Sequence, residues 1–226
     1  MFYYDWSILI ILPGLLLGIW AQIRVKSSFS KYAKVHIHSG KTAEQICREL
    51  LNNSGNSSVR IEQTKGSLTD HFDPSNNVLR LSQSVYGSDS VSAIGVAAHE
   101  CGHAMQKHDG YKLLSLRTAI VPVVSIGSNL YFPLFLIGII FSWEPLQIIG
   151  ISCFALTLLF SLITLPVEFD ASKRAIAMLS QGGYVDESEL TGVRSVLTSA
   201  AMTYVASAIS SLLQLIRLIL ISRSRD

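Results

Sequence analysis

Two histidines and a glutamate have the types and the spacing of a metal-dependent hydrolytic site. The segment GVAAHECGHAMQKH at residues 95–108 contains His99, Glu100 and His103 in the pattern His-Glu-x-x-His. Side chains four residues apart lie on one face of a helix, so both imidazoles can reach one metal ion. Glu100 is rotated about 100° further round, where it misses the metal and can take a proton from a water held there. With Zn²⁺ as the metal, this chemistry is the attack of an activated water on a polar bond.

Chance and helix capping both favour a functional motif. With six histidines in 226 residues, about 0.006 random matches to this pattern are expected per chain. A helix over residues 91–108 is predicted, because the stretch is rich in alanine and Ser90 or Ser92 can cap its start. Cys101 lies two residues from each histidine, on another face, and is predicted to pack rather than to bind metal. The alternative is a structural or vestigial motif.

Long apolar runs show which class of protein must position these residues. Hydrophobic residues make up 49% of the chain and charged residues 15%, which excludes an ordinary soluble domain. Residues 6–23, 118–143, 145–167 and 195–216 carry no charge, and each run can cross about 30 Å of hydrocarbon as a helix. We predict a mainly α integral membrane protein with three or four transmembrane helices, an HExxH zincin-like helix core and a small α+β cytoplasmic part. The lipid bilayer is therefore one partner.

The distribution of basic residues predicts the topology. Residues 1–5 contain no Lys or Arg, whereas Arg24, Lys26, Lys31 and Lys34 follow the first apolar run, which we interpret as a retained anchor. The positive-inside rule then places residues 24–117 in the cytoplasm. The second and third runs form a hairpin that returns the chain to the same side. The basic cluster is a topology signal, and no nucleic-acid partner is expected.

Aromatic residues are predicted to lie at the membrane surfaces near the first apolar run: Tyr3, Tyr4, Trp6 and Trp20.

The last apolar run can be either a transmembrane helix or a helix in the plane of the membrane. If the last run spans the bilayer, Arg223 and Arg225 lie outside, against the charge rule. A helix in the plane of the membrane would avoid that conflict.

The third zinc ligand must come from elsewhere in the chain. Near residue 167 the chain is predicted to return to the side of His99 and His103, and Glu168 and Asp170 are the first charged residues there. Two histidines and one glutamate, with the fourth position left to water, form a known catalytic zinc arrangement. We therefore predict that one Zn²⁺ per chain is held by His99, His103 and Glu168.

The residues that follow Pro166 allow two interpretations. A helix beginning at this proline would carry Glu168 and Asp170 in its first turn, where they would pair with the basic residues 173–174. In the zinc interpretation, Asp170 instead orients a zinc-binding histidine, and Ser172, four residues after Glu168 on the same face, could share that role.

A small α+β unit is predicted over residues 35–90. It has a short helix capped by Ser39, a strand in SVRIEQ, and a hairpin around residues 73–77 whose second strand is Val78–Ser82. A strand just before the zinc helix is placed to bind an extended peptide by strand addition, or it is plain scaffold. His71 in this hairpin could steady an oxyanion or simply form a hydrogen bond in the turn.

Three separated segments resemble one known family. The sequences GVAAHECGHAMQ, GSLTDHFDPSNNVLRLSQSVY and LPVEFDASKRA are similar to the YugP-type family of bacterial membrane zinc metallopeptidases. The resemblance covers nearly the whole chain and implies a zinc peptidase of the bacterial plasma membrane. A more distant similarity to the HtpX and CAAX-protease group implies the same zinc role for Glu168. In that group an Asp follows the Glu by four residues; here Ser172 stands at that position and Asp170 two residues earlier.

The predicted function is a membrane-embedded zinc-dependent endopeptidase. Glu100 is the general base, the active site faces the cytoplasm, and the partner is a protein or peptide substrate. The alternative is a non-proteolytic zinc-stabilised membrane scaffold or chaperone. A transporter is disfavoured, because the apolar runs contain almost no ionisable residues. No pattern specifies the oligomeric state.

A single membrane metallopeptidase domain is predicted over residues 1–226. Its parts are a transmembrane anchor (1–25), a cytoplasmic α+β part with the HExxH helix (26–113), a transmembrane hairpin (118–166), a third-ligand helix (167–195) and a transmembrane or in-plane helix (196–221).

Overall fold

The computed structural model describes residues 7–223, and these residues form six helices and a three-stranded sheet. The helices are α1 (Ile8–Tyr32), α2 (Ala43–Asn53), α3 (Val91–His108), α4 (Lys112–Ile140), α5 (Glu144–Gln181) and α6 (Glu187–Arg223). The strands are β1 (Arg60–Thr64), β2 (His71–Asp73) and β3 (Val78–Ser82). Tyr3, Tyr4, Trp6 and Arg225 lie outside the described residues.

Four helices, α1, α4, α5 and α6, are long and apolar enough to cross a bilayer. Large apolar side chains such as Leu16, Ile126 and Leu162 are exposed along these helices, as expected for side chains in contact with lipid. The prediction of a mainly α membrane protein with a small α+β part is confirmed. The last apolar run belongs to α6 and therefore qualifies as a fourth candidate span by length and composition.

The described chain divides into two units. The first contains residues 7–22, 115–166 and 202–223, the most apolar stretches of the four long helices. Inside it, a methyl group added at Gly14 of α1 would lie 2.9 Å from Oγ of Ser210 on α6, so these two helices approach closely. The second unit contains residues 23–114 and 167–201, and with them α2, α3 and the sheet.

The helix of the predicted third ligand does not begin at Pro166. Pro166 lies inside α5, which continues without a break from Glu144 to Gln181. Proline removes one backbone N–H and one hydrogen bond, and a long helix whose other bonds are intact tolerates that loss. Glu168 and Asp170 are therefore mid-helix residues, and their interpretation as first-turn acids is wrong, although Asp170 does pair with Arg174 as that interpretation predicted. The helix ends at Gln181, just before Gly182.

The helix α2 begins with a capping box at Thr42. Thr42 Oγ1 accepts from the backbone N–H of Gln45 at 3.4 Å, and Gln45 Oε1 accepts from the backbone N–H of Thr42 at 3.0 Å. The prediction of a cap at Ser39 is wrong, because this reciprocal pair satisfies two N–H groups at the helix start.

The sheet has the strand order β1-β3-β2. The strand β3 pairs antiparallel with β2, which confirms the hairpin, and parallel with β1. Because both edges of β3 are paired, this strand cannot take up a peptide by strand addition. The edges of the described sheet belong to β1 and β2.

A buried core joins α2 to α3. Cys101 is fully buried there with its Sγ 3.1 Å from Sγ of Cys47, and both cysteines are free thiols. Cys101 thus packs in the core, as predicted, and the histidines beside it in the sequence lie on another face of α3.

Candidate metal centre

The helix α3 places the two histidines of the motif side by side. It spans Val91–His108, and the side chain of Ser90 caps it by accepting from the backbone N–H of Ala93 at 3.3 Å. The ring centroids of His99 and His103 are 4.8 Å apart, one helical turn along the same face. The local sequence alone therefore builds a two-imidazole face.

The helix α5 reaches this face because Gly102 has no side chain. A Cβ atom added at Gly102 would lie 2.5 Å from the carbonyl oxygen of Ala171 on α5 and 3.1 Å from its carbonyl carbon. The two backbones are thus in direct contact at this point. Glu168 lies one turn before Ala171 on α5, so the contact carries its carboxylate to the histidines.

The three side chains meet through single atoms. Oε2 of Glu168 lies 3.1 Å from Nε2 of His99 and 3.6 Å from Nε2 of His103. Zn²⁺ bonds of about 2.1 Å in a tetrahedron place neighbouring ligand atoms about 3.4 Å apart. The observed separations bracket that value, so the donor set fits a zinc ion. Burial supports the assignment, since Glu168 is 2% exposed and His103 is 7% exposed.

Each histidine has a partner for its second ring nitrogen. Nδ1 of His99 lies 3.1 Å from Oγ of Ser172, and Nδ1 of His103 lies 2.9 Å from Oε1 of Gln106. Asp170 contacts Gln106 and no described histidine; its Oδ2 accepts from Nε2 of Gln106 at 2.9 Å. Asp170 thus reaches His103 through an intervening amide, and Ser172 reaches His99 directly.

The charge state of His103 reflects two opposing effects. Burial disfavours the imidazolium, but the hydrogen bond and the charge of Glu168, together with the charge of Glu100, raise the pKa of His103 above its usual value. The pocket therefore favours positive charge at this point, as a site for a cation should.

Glu100 lies outside the three-residue cluster and contacts the sheet. Its Oε2 accepts from the backbone N–H of Phe72 at 2.8 Å, and the residue is 8% exposed. The backbone of β2 therefore holds the carboxylate beside the cluster and outside it. Sequence reasoning missed this contact, because nothing local links a strand amide to a helix 28 residues later.

His71 does not join the cluster. It is exposed, its Nδ1 lies 2.9 Å from the carbonyl oxygen of Thr69, and its Nε2 lies 3.5 Å from Nη1 of Arg80. Side chains alternate across a strand, so β2 turns His71 outward and buries Phe72. The turn interpretation describes its observed contacts.

Gln106 is the second residue that the sequence interpretation missed. It lies three positions after His103, a spacing that puts both side chains on one helix face. Since metal-binding histidines commonly engage the second ring nitrogen with an acceptor, that spacing was the available signal.

A second group of side chains of the kinds that bind metal ions consists of His38, Asp186 and Glu189. The carboxylates of Asp186 and Glu189 form the capping box of α6, each accepting at 2.8 Å from the other's backbone N–H. Glu189 Oε1 also accepts from the backbone N–H of His38 at 2.7 Å and lies 2.6 Å from its Nδ1. These hydrogen bonds give the group a structural role, because they link the loop that carries His38 to the start of α6.

The hydrogen bond between His38 and Glu189 predicts that the stability of the folded protein depends on pH. The hydrogen bond to Glu189, then the charges of Glu189 and Asp186, raise the pKa of His38. Since the folded-state pKa lies above the unfolded one, the stabilisation is complete below about pH 6.5 and is lost as the pH rises through the folded-state pKa. In thermal unfolding of the detergent-solubilised protein, the midpoint difference between wild type and His38→Asn should be largest in mild acid and shrink at alkaline pH. His108→Asn serves as the control, and an equal difference at every pH would contradict the prediction.

Comparison with known proteins places this chain in a family. A family model described as "Putative neutral zinc metallopeptidase" matches residues 7–223. The chain is 44% identical over 214 residues to "Putative membrane protease YugP" of Bacillus subtilis (strain 168), and the match covers 95% of each chain. No solved structure matches the chain. Zn²⁺ is the cofactor that this family implies, and the cluster of His99, His103 and Glu168 offers the residues to hold it. The chain belongs to the neutral zinc metallopeptidase family of YugP-type membrane proteins.

Proposed function

We propose that this protein is a membrane-embedded zinc-dependent endopeptidase whose active site faces the cytoplasm. The proposal depends on one observation: Oε2 of Glu168 lies 3.1 Å from Nε2 of His99 and 3.6 Å from Nε2 of His103. The carboxylate of Glu100 is buried beside these three side chains. The family's description as a peptidase supports the same reaction class.

The roles follow from the contacts. His99, His103 and Glu168 would hold the ion, and bound Zn²⁺ would supply Lewis-acid polarisation of the scissile carbonyl and an activated water. Glu100 accepts the proton of the attacking water and later delivers it to the leaving amine. The backbone N–H of Phe72 donates to the carboxylate of Glu100 and holds it in place.

The cytoplasmic orientation rests on charge. Arg24, Lys26 and Lys31 lie on α1 after its apolar stretch, and the positive-inside rule assigns that end to the cytoplasm. These residues belong to the same unit as the metal centre.

Because α1, α5 and α6 each contribute residues to both units, we propose that residues 1–226 act as one metallopeptidase domain. Substrates are then polypeptide segments near or in the membrane; a purified enzyme that cuts soluble peptides and ignores membrane proteins would contradict this.

Glu168→Ala tests the metal centre. Purified wild type should contain about one zinc per chain and cleave casein, whereas Glu168→Ala should lose both, since the site loses one of its three protein ligands. Elemental analysis and a casein assay on the same samples measure the two effects. Glu187→Ala, which removes an exposed glutamate at the start of α6, is the matched control and should keep both.

Each departure from this result has a defined meaning. Full zinc occupancy in Glu168→Ala would show that Glu168 is not a ligand, and Asp170 and His71 would be tested next. Zinc in the wild type without cleavage of any peptide or membrane protein would favour the non-proteolytic scaffold or chaperone.

A further inference from the structure

Gln106 is a fully buried amide whose polar atoms are all paired. Its Oε1 lies 2.9 Å from Nδ1 of His103, and its Nε2 donates to the carbonyl oxygen of Val167 at 2.8 Å and to Oδ2 of Asp170 at 2.9 Å. A side-chain amide has two N–H donors and one oxygen, and here both donors and the oxygen are engaged.

The partners on α5 fix which way the amide faces. The carbonyl of Val167 only accepts hydrogen bonds. The carboxylate of Asp170 is also an acceptor, because Nε of Arg174 donates to the same oxygen at 2.6 Å and Arg174 pairs with Asp109 as well. The NH₂ group of Gln106 must therefore face α5, and its oxygen must face His103.

The orientation of the amide fixes the proton on His103. Since Oε1 of Gln106 can only accept, Nδ1 of His103 must carry the hydrogen. In the neutral imidazole the lone pair is then on Nε2, the atom that faces Glu168 at 3.6 Å. His99 is under no such constraint, because its partner, the Ser172 hydroxyl, can donate or accept.

We propose that Gln106 is a positioning residue that presets His103 for zinc and clamps α3 to the ligand-bearing part of α5. One amide sets the tautomer and the ring orientation of a histidine on α3. The same amide binds the carbonyl of Val167, the residue directly before Glu168 on α5. Ligands contributed by two helices are thereby held in register before an ion binds. This inference rests on the proposed function, since it assigns His103 to the metal.

The tautomer of His103 is the most direct test. Nitrogen NMR of histidine-labelled, zinc-free wild type at a pH alkaline enough to make His103 neutral should show His103 protonated on Nδ1. A predominantly Nε2-protonated His103 in the wild type would overturn the proposal without any variant. This readout does not depend on catalysis, so it stands even if the peptidase assignment fails.

Substitutions separate the positioning role from simple packing. Gln106→Met keeps the volume but removes the acceptor and both donors, and it should weaken zinc binding about 10–100-fold by chelator competition and release the tautomer preference. Gln106→Glu restores an acceptor for Nδ1, so it should recover the Nδ1-protonated form while losing the clamp to α5.

Gln147→Met is the matched control. Gln147 is also buried, and its Nε2 donates to the carbonyl oxygen of Gly138 at 3.1 Å in the other unit. Its loss should lower the unfolding temperature without changing zinc affinity or the His103 tautomer. Wild-type zinc affinity and tautomer in Gln106→Met would overturn the proposal, as would equal losses of zinc affinity in the Gln106 and Gln147 variants.

Discussion

Glu100→Gln is expected to lower peptide hydrolysis by about 10²- to 10⁴-fold while zinc stays bound at about one ion per chain. Glutamine has the shape of glutamate and can still accept from the backbone N–H of Phe72, so the fold around β2 should persist. Its amide cannot take a proton from the attacking water. The loss corresponds to about 3–5 kcal/mol of transition-state stabilisation.

Zinc content and catalysis must be measured on the same preparation. Elemental analysis gives the first, and kcat/KM on a fluorogenic peptide gives the second. Glu187→Gln, an exposed change of the same chemistry, should leave both at wild-type values. Undiminished hydrolysis by Glu100→Gln would remove Glu100 from the mechanism, and an unaltered biological function without hydrolysis would support the scaffold alternative.

Gly102→Ala is expected to weaken zinc binding at least about tenfold and to lower stability by about 1–3 kcal/mol. Alanine gains about 1 kcal/mol over glycine within a helix. Here the new methyl group would lie 2.5 Å from the carbonyl oxygen of Ala171, and a backbone atom cannot rotate away. The two helices must therefore separate, and Glu168 moves with α5 away from the histidines.

Gly95→Ala is the matched control for this change. Gly95 is also on α3, but a methyl group there would lie 3.4 Å from Cγ1 of Val193, an ordinary contact with a side chain. This variant should keep zinc affinity and gain slightly in thermal stability. Equal behaviour of the two variants in zinc titration and thermal unfolding would show that the α3–α5 contact does not position the ligands.

The parts of the fold that the sequence predicted well are those set by local patterns. The apolar runs, the helix over residues 91–108, the strand in SVRIEQ and the hairpin around residues 73–77 each depend on neighbouring residues. The two incorrect predictions concern the residues at which helices begin. Ser39 was predicted as the cap of α2, whereas Thr42 caps it, because Thr42 has Gln45 three residues later to complete a capping box. Pro166 predicts a helix start, but an apolar helix can continue through a proline, as α5 does.

The candidate site likewise has features that local patterns predict and features that depend on how the helices pack. The helical period determines that His99 and His103 share a face, and the order of apolar runs brought Glu168 forward as the third ligand. The partners of Asp170 and Ser172 could not be assigned from spacing, because both residues lie near Glu168 on α5 and their contacts depend on how that helix meets α3.

The sequence by itself determined the residue types of the centre, the helix that carries two of them and the membrane class of the protein, because each depends on spacing along a few turns of chain. Only the tertiary structure decided which atoms meet. Gln106 and Val167 are 61 residues apart, Phe72 and Glu100 are 28 apart, and Gly102 acquires its importance from a carbonyl on another helix. Such contacts follow from how whole helices and strands pack, and short-range patterns carry no information about that packing.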